Sequence, residues 1–135
     1  MSGGGAWWRL ALWIGGLGAV GSLARAGLGF ALARVSGGTT WLPTLAINLL
    51  GSFGMGLAVA MLGSVSDPLT RHPYSLGITA GFLGGFTTYS AFAYQSFDLA
   101  EKRAYGALAA YLSLTLCGCL AACAAGVAIG RAVAR

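Results

Sequence analysis

The chain carries very little charge. Of its 135 residues only 8% are Asp, Glu, Lys or Arg, whereas a soluble domain has about 25%. So few charged side chains cannot cover a water-exposed surface, which excludes an ordinary soluble domain. Hydrophobic residues make up 57% of the chain, and the sequence therefore indicates a small integral membrane protein.

Acidic residues are scarce in the chain. The chain has three, Asp67, Asp98 and Glu101, and we expect all of them in loops or at the end of a span. No carboxylate is therefore left within the spans to relay protons or to bind a cation at the midplane. This argues against a small proton-coupled drug antiporter, which needs such a carboxylate. The sequence also lacks a nucleophile–base pair, so we predict that the protein is not an enzyme.

Long apolar runs fill most of the chain. A spanning helix needs roughly 20 mostly apolar residues, and four segments qualify, at about 9–33, 42–63, 74–97 and 104–130. We therefore predict one all-α transmembrane domain over residues 1–135, with four helices. The first segment is interpreted as an uncleaved helix rather than a signal peptide, because three spans follow and Trp7, Trp8 and Arg9 suit an interfacial anchor.

The basic residues are almost evenly divided between the two sides of the membrane. With both termini and the 63–73 loop on one side, that side has four basic residues and the other has three. The two sets are Arg9, Arg71, Arg131 and Arg135 against Arg34, Lys102 and Arg103. Because the Lys/Arg bias normally fixes orientation, we expect insertion in both directions. The net charge of +5 is interpreted as anchoring to membrane lipid, not as a nucleic-acid site.

Small residues recur at fourfold spacing in three of the predicted spans. Such stripes let helix backbones approach closely, so they predict a tight bundle and an oligomer. The stripes are Ser52, Gly56 and Ala60 in the second span, Gly77, Gly81 and Gly85 in the third, and Gly118, Ala122, Gly126 and Gly130 in the fourth.

Three other motifs are interpreted as structural. "GLGAVG" (16–21) matches G-x-G-x-x-G, but a dinucleotide site needs a preceding strand and an acidic residue about 20 positions later. We predict a small-residue packing face instead. Cys117, Cys119 and Cys123 are interpreted as packing residues rather than metal ligands, since no His or carboxylate shares their helix. His72 is interpreted as a solvated loop residue.

Several polar side chains lie inside the spans, where transfer of a polar group into lipid costs free energy. Arg25 either extends to an interface or lines an aqueous vestibule that attracts anions. Asn48 either makes an interhelical hydrogen bond or donates to a ligand. Tyr111, Thr115 and Cys119 recur every four residues and share one face of the fourth helix, although Thr115 has the alternative of bonding back to its own helix.

The segment "GFLGGFTTYSAF" (81–92) weakens the third span near its middle. Gly is a poor helix former, and Thr competes for backbone hydrogen bonds. We predict a break at Gly84-Gly85, whose freed carbonyls can hold Na⁺ as in the broken helices of transporters. Tyr89 and Phe92 follow on one face and offer positive ring edges, and Thr88 and Ser90 add hydroxyls.

The polar groups within the spans are thus hydrogen-bond donors, which favours a site for a small, strongly hydrated anion. A holin-like or purely structural subunit is the remaining alternative, but it leaves Asn48 and the broken third helix unexplained.

The chain resembles the CrcB/Fluc family of fluoride ion channels over nearly its whole length. "GLGAVGSLAR" (16–25) is similar to the first helix of that family, "INLLGSFGMG" (47–56) to its second-helix asparagine motif, and "GFLGGFTTYSAF" to its third helix. The resemblance implies passive export of fluoride across the cytoplasmic membrane to relieve fluoride toxicity. It also implies an antiparallel, dual-topology homodimer with two pores and a central structural Na⁺.

The resemblance also assigns roles to individual residues. It implies Na⁺ held by the backbone carbonyls of Gly84 and Thr87, and Arg25 in a vestibule. It implies an anion pathway formed by Asn48, Tyr89, Ser90, Phe92, Tyr111 and Thr115, with Cys119 continuing the line of polar residues on the fourth helix. The sequence departs from the family pattern at four positions, namely Tyr89 for Phe, Ala91 for Thr, Gln95 for an acidic residue, and Cys119 for a hydroxyl residue.

Overall fold

The computed structural model describes residues 4–62 and 73–134, and this part of the chain is helical apart from short connections. The predicted all-α class is confirmed. Predictions that concern Asp67, Arg71, His72 and Arg135 lie outside the described residues. The helices are α1 (Gly4–Val35), α2 (Leu42–Leu62), α3 (73–86), α4 (Tyr89–Glu101) and α5 (Tyr105–Val133), where α3 comprises Pro73–Leu76, Gly77–Leu83 and Gly84–Phe86.

Three of these helices are long and apolar enough to cross a membrane. They are Trp7–Val35 within α1, Leu42–Leu62 and Tyr105–Val133, in agreement with three of the predicted spans. The remaining predicted span, 74–97, consists of two shorter helices, α3 and α4, with a break between them. The chain is therefore a multi-pass membrane protein whose third apolar segment is interrupted.

The middle of α3, Gly77–Leu83, is π-helical. The N–H of Gly84 reaches the Thr79 carbonyl five residues back, and the Thr79 hydroxyl donates to the Ser75 carbonyl over 2.9 Å. π-Helical turns are rare and often occur at functional sites. Fourfold glycine spacing is typical of an ordinary α-helix, so the sequence did not predict this π-helical segment.

The bundle consists of two closely packed helix pairs. In the pair of α2 and α5, a methyl group on Gly56 would collide with the Cys123 carbonyl, and one on Gly126 with the Phe53 carbonyl. In the pair of α1 and α3, a Cβ on Gly81 would lie 2.8 Å from the Ile14 carbonyl oxygen. The small-residue stripes are thus confirmed as packing faces.

The "GLGAVG" segment is part of the same packing. It lies within the single helix α1, which is continuous from Gly4 to Val35. A Cβ on Gly18 would lie 3.7 Å from the Gly81 carbonyl oxygen, and one on Gly21 would collide with the Phe82 carbonyl. The interpretation as a small-residue face, rather than a nucleotide site, is confirmed.

A tight turn joins α4 to α5 and fixes them side by side. Arg103 has a left-handed backbone (φ 55°). Its N–H donates to the Ala100 carbonyl, and the N–H of Ala104 donates to the Leu99 carbonyl over 2.9 Å. This is a Schellman motif, which satisfies the last carbonyls of α4. Lys102 donates to Asp98 over 2.7 Å, and this hydrogen bond raises the pKa of Lys102. The turn positions Phe92 of α4 against Tyr111 of α5.

Replacement of Gly126 by Ala is expected to destabilise the bundle. The added methyl group has no space beside the Phe53 carbonyl, so the free energy of unfolding in detergent should fall by about 1–3 kcal/mol. Gly106→Ala, in the same helix, is the matched control because nothing lies within 4 Å of its Cβ position. That variant should be neutral or gain less than about 1 kcal/mol. Equal unfolding midpoints for the two variants would contradict the packing account.

Candidate functional site

The third apolar segment is interrupted at Thr87 and Thr88, not at the glycines. Gly84 and Gly85 belong to the last helical turn of α3, whereas Thr87 (φ −84°, ψ 159°) and Thr88 (φ −146°, ψ 114°) are extended. The predicted break at Gly84-Gly85 is therefore wrong by three residues. β-Branched residues favour extended backbone, and the Thr88 hydroxyl caps α4 by accepting from the Ala91 N–H over 3.3 Å.

The glycines before the break differ in their surroundings. A Cβ on Gly85 would lie 2.5 Å from the Gly18 carbonyl oxygen and 3.1 Å from the Ser22 hydroxyl oxygen. Gly85 is thus required where α3 meets α1. Gly84 is exposed, and a methyl group there would make only an ordinary contact, 3.8 Å from the Thr79 carbonyl oxygen.

Asn48 of α2 forms hydrogen bonds with the backbone at the break. Its Oδ1 accepts from the Thr88 N–H over 2.9 Å, and its Nδ2 donates to the Thr88 carbonyl over 3.1 Å. One buried side chain thereby satisfies both backbone groups of the residue at which the helix is interrupted. The interhelical hydrogen bond considered for Asn48 is confirmed. The amide has a second N–H, and Asn48 also lines the groove described below.

Two carbonyls lose their helical donors at the break. In a continuous helix, the N–H of Thr88 would bond to the Gly84 carbonyl and that of Ala91 to the Thr87 carbonyl. Here those N–H groups donate to Asn48 and to the Thr88 hydroxyl. Gly84 and Thr87 are the two residues that the resemblance assigns to a cation.

Arg25 of α1 contacts the other end of the same turn. Its Nε donates to the Gly85 carbonyl over 3.1 Å, and the side chain is half-buried. The guanidinium therefore satisfies one more carbonyl at the end of α3. Arg25 is not among the residues that line the groove.

A groove of about 480 Å³ lies beside the break, between α2, α4 and α5. It brings together four of the six residues predicted for the anion pathway, Asn48, Tyr89, Phe92 and Thr115, and also Thr87 and Cys119. None of its described lining residues is charged, and apolar side chains make up much of the wall. The other two predicted pathway residues lie outside it. Ser90 is exposed with its Oγ 3.3 Å from the Thr88 hydroxyl, and Tyr111 is buried behind Phe92.

Thr115 has an unsatisfied hydroxyl. The residue is only 7% exposed, and among the described residues its Oγ1 has no hydrogen-bond partner. The alternative in which Thr115 bonds back to its own helix is therefore wrong. A buried hydroxyl without a partner costs about 1–3 kcal/mol, which marks Thr115 as a position where a ligand or water gains a hydrogen bond.

Aromatic rings form a continuous series from the connection before α2 to the groove. Trp41 and Tyr111 have ring centroids 5.2 Å apart, Tyr111 meets Phe92 at 5.2 Å in an edge-to-face arrangement, and Phe92 lies 5.7 Å from Tyr89. From Tyr111 onward the exposed fraction of the side chain rises, from fully buried Tyr111 through Phe92 at 7% to Tyr89 at 79%. Phe92 is thus held by packing, whereas Tyr89 faces outward.

Gln95 and Trp41 are structural parts of the site that residue types alone did not assign. The Tyr111 hydroxyl donates to Gln95 Oε1 over 2.8 Å, and Gln95 Nε2 donates to the Thr40 carbonyl over 3.2 Å. Gln95 therefore connects α5 to the 36–41 connection. The signal in the sequence was that Gln95 stands where the family usually has an acidic residue.

Comparison with known proteins identifies related sequences along most of the chain. A family model described as "CrcB-like protein, Camphor Resistance (CrcB)" matches residues 12–127. The fluoride-specific ion channel FluC of Sorangium cellulosum is 36% identical over 119 residues, which cover 88% of this chain and 92% of that protein. The corresponding channels of Geobacter sulfurreducens and Agrobacterium fabrum are 35% and 37% identical over 114 residues, covering 84% of this chain and 90% of each relative.

The family match extends over most of α1, all of α2, the broken segment and most of α5, so it includes every element that forms the groove. The relatives are ion channels, which confirms the prediction that the protein is not an enzyme. The chain belongs to the CrcB/Fluc family.

Proposed function

We propose that the chain is a fluoride-selective channel of the cytoplasmic membrane, through which fluoride leaves the cell passively and its toxicity is relieved. Its relatives carry the name of fluoride-specific ion channels. The observation that carries the proposal is the buried, partnerless Thr115 hydroxyl on a groove shared with the Asn48 amide and the rings of Tyr89 and Phe92. These groups offer uncharged donors and positive ring edges.

Such a groove suits a small anion that holds its water tightly. The anion must exchange its hydration shell for donors, yet it must also leave again. Neutral donors meet both requirements better than a fixed positive charge would, and no described lining residue repels an anion with a carboxylate. A membrane potential negative inside contributes about 2.3 kcal/mol per 100 mV to efflux of a monovalent anion, so no energy source is needed.

In this proposal the pathway includes Asn48, Tyr89, Ser90, Phe92, Tyr111 and Thr115, with Arg25 at a vestibule. Asn48 contributes the amide N–H that does not bond to Thr88. Tyr111 supports the ring of Phe92 from behind and donates to Gln95. Ser90 is exposed one residue beyond Tyr89, on the outward side of the break.

We further propose that α3 and α4 together make a fourth membrane crossing and that two chains assemble as an antiparallel, dual-topology homodimer. Tyr89 is 79% exposed although it borders the groove. Gly84 is exposed although its carbonyl has lost its helical donor. A second copy would cover both. The near balance of basic residues on the two sides is consistent with opposite orientations.

We also propose a structural Na⁺ at the two-fold axis of that dimer. The residues fit such an ion, because the helical donors of the Gly84 and Thr87 carbonyls are diverted to Asn48 and Thr88. Na⁺ is a hard cation, and backbone oxygens released by a helix break are suitable ligands for it. A two-fold axis would supply the same pair of carbonyls from each chain. The ion would link the two copies at the break.

The aromatic pair gives the first test of the pathway. If Tyr89 contributes its ring edge, Tyr89→Phe should retain initial fluoride efflux from liposomes within about twofold, whereas Tyr89→Ile should lower it at least tenfold, or about 1.4 kcal/mol. Phe92→Ile should be equally severe, since it removes the ring that packs between Tyr89 and Tyr111.

Tyr94→Ile is the matched control for these variants, because Tyr94 is a similarly exposed aromatic of α4 (71%) that does not line the groove. Its flux should equal that of the parent at the same protein density. Severe loss in Tyr89→Phe would assign the donor role to the hydroxyl instead. Normal flux in both isoleucine variants would show that the aromatic pair serves packing only.

Orientation is tested by fusing two copies in a single chain. A linker that contains an added transmembrane helix forces opposite orientations and should retain fluoride efflux, because the antiparallel arrangement is preserved. A short linker without that helix forces equal orientations and should abolish efflux. Activity of only the second fusion would contradict the antiparallel dimer.

The cation is tested by replacing Na⁺ with a large organic cation during purification and assay. Loss of Na⁺ should lower fluoride efflux at least tenfold and weaken the dimer in detergent, and return of Na⁺ should restore both. Thr87→Ser should leave the effect of Na⁺ intact, because only its backbone carbonyl is assigned to the ion. Unchanged efflux and dimer content after rigorous Na⁺ removal would refute the structural ion.

A further inference from the structure

Two thiols and a thioether are among the side chains that line the groove. Cys119 and Cys123 of α5 and Met55 of α2 are among its lining residues. Cys119 and Cys123 are partly buried free thiols. They are separated by one helical turn, which places their Cβ atoms about 5–6 Å apart on one face. Cys117 is different, since it is exposed and is not among the lining residues.

The chemistry of these ligands selects a particular class of metal ion. Thiolate and thioether sulfur favour soft cations such as Cu(I) over the hard ions that prefer oxygen. A structural zinc site would require four ligands, and no cluster of three or more His, Cys, Asp or Glu side chains occurs in residues 4–62 and 73–134. A soft monovalent ion, which accepts a low coordination number, matches the set that the groove provides.

We propose that Cys119, Cys123 and Met55 form a binding site for a soft monovalent cation, Cu(I) or Ag(I), and that an ion bound there closes the groove. One thiol releases its proton to solvent as its sulfur bonds to the cation. The second thiol and the thioether each donate a lone pair, so the complex is neutral overall. Charge neutrality favours retention between the apolar walls that Leu116 and Leu120 provide.

The position of the site explains why binding would interrupt an anion. Cys119 lies one turn beyond Thr115 on the same line of α5, and both line the groove. A cation held by Cys119 and Cys123 would therefore occupy the groove one helical turn from Thr115, where an anion on the proposed pathway would have to pass. Metal binding stands on the sulfur ligands alone, whereas closure rests on the proposed fluoride function.

Binding is measured with silver nitrate in chloride-free detergent solution, in the presence of excess 2-mercaptoethanol. The monothiol competes away silver held by a single sulfur, so retained silver reports a site with several sulfur ligands. The parent and Cys117→Ser should each retain about one silver ion per chain after gel filtration. Cys119→Ser and Cys123→Ser should each weaken retention at least tenfold, and Met55→Leu by a smaller factor. Equal retention in all cysteine variants, or none in the parent, overturns the site.

Closure is measured as initial fluoride efflux from liposomes in sodium nitrate, with each variant compared with its own silver-free rate. Silver should lower efflux at least tenfold in the parent and in Cys117→Ser, and less than twofold in the Cys119→Ser, Cys123→Ser double variant. Persistent inhibition of the double variant overturns the assignment, and retained silver without inhibition overturns closure. Absence of silver-free efflux from the parent would instead contradict the proposed function, while the binding result would remain interpretable.

Discussion

The pair of hydrogen bonds between Asn48 and the backbone of Thr88 is the interaction on which the site depends. A helix interrupted in an apolar environment leaves an N–H and a carbonyl that water cannot reach, and each unsatisfied group costs about 1–3 kcal/mol. Asn48 satisfies both groups of Thr88 with one side chain, at 2.9 and 3.1 Å. An aspartate could not donate and a leucine could do neither, so the residue type follows from the geometry of the break.

The position of Asn48 relative to Thr88 depends in turn on close helix packing. Asn48 belongs to α2, whose position against α5 is fixed by Gly56 and Gly126, where no side chain fits. On the other side of the break, the contact of Gly85 with Gly18 and the hydrogen bond from Arg25 to the Gly85 carbonyl hold the end of α3 against α1. The break is thus held by contacts with both helix pairs.

The sequence predicted the fold class, the small-residue packing and the existence of a broken segment, because these depend on composition and periodicity. It misplaced the break at Gly84-Gly85, because intrinsic propensity identifies glycine as the weak point. In the structure, tertiary contacts decide instead. Gly85 is required by the approach of α1, and the chain is extended at Thr87 and Thr88, where Asn48 and the Thr88 hydroxyl replace the helical hydrogen bonds. The sequence did not predict the π-helical stretch of α3, for the same reason.

The departure at Gln95 shows how the donors of the site divide into two classes. Gln95 accepts from the Tyr111 hydroxyl and donates to the Thr40 carbonyl. A carboxylate could accept from Tyr111, but it has no N–H to donate to the Thr40 carbonyl, so two acceptors would face each other. The Tyr111 hydroxyl is therefore used in a hydrogen bond within the fold. In the same way, one N–H of Asn48 is used by the Thr88 carbonyl, and the Nε of Arg25 by the Gly85 carbonyl. Thr115 has no such partner among the described residues, so its hydroxyl, like the second N–H of Asn48, is a donor beside the groove that the fold leaves available.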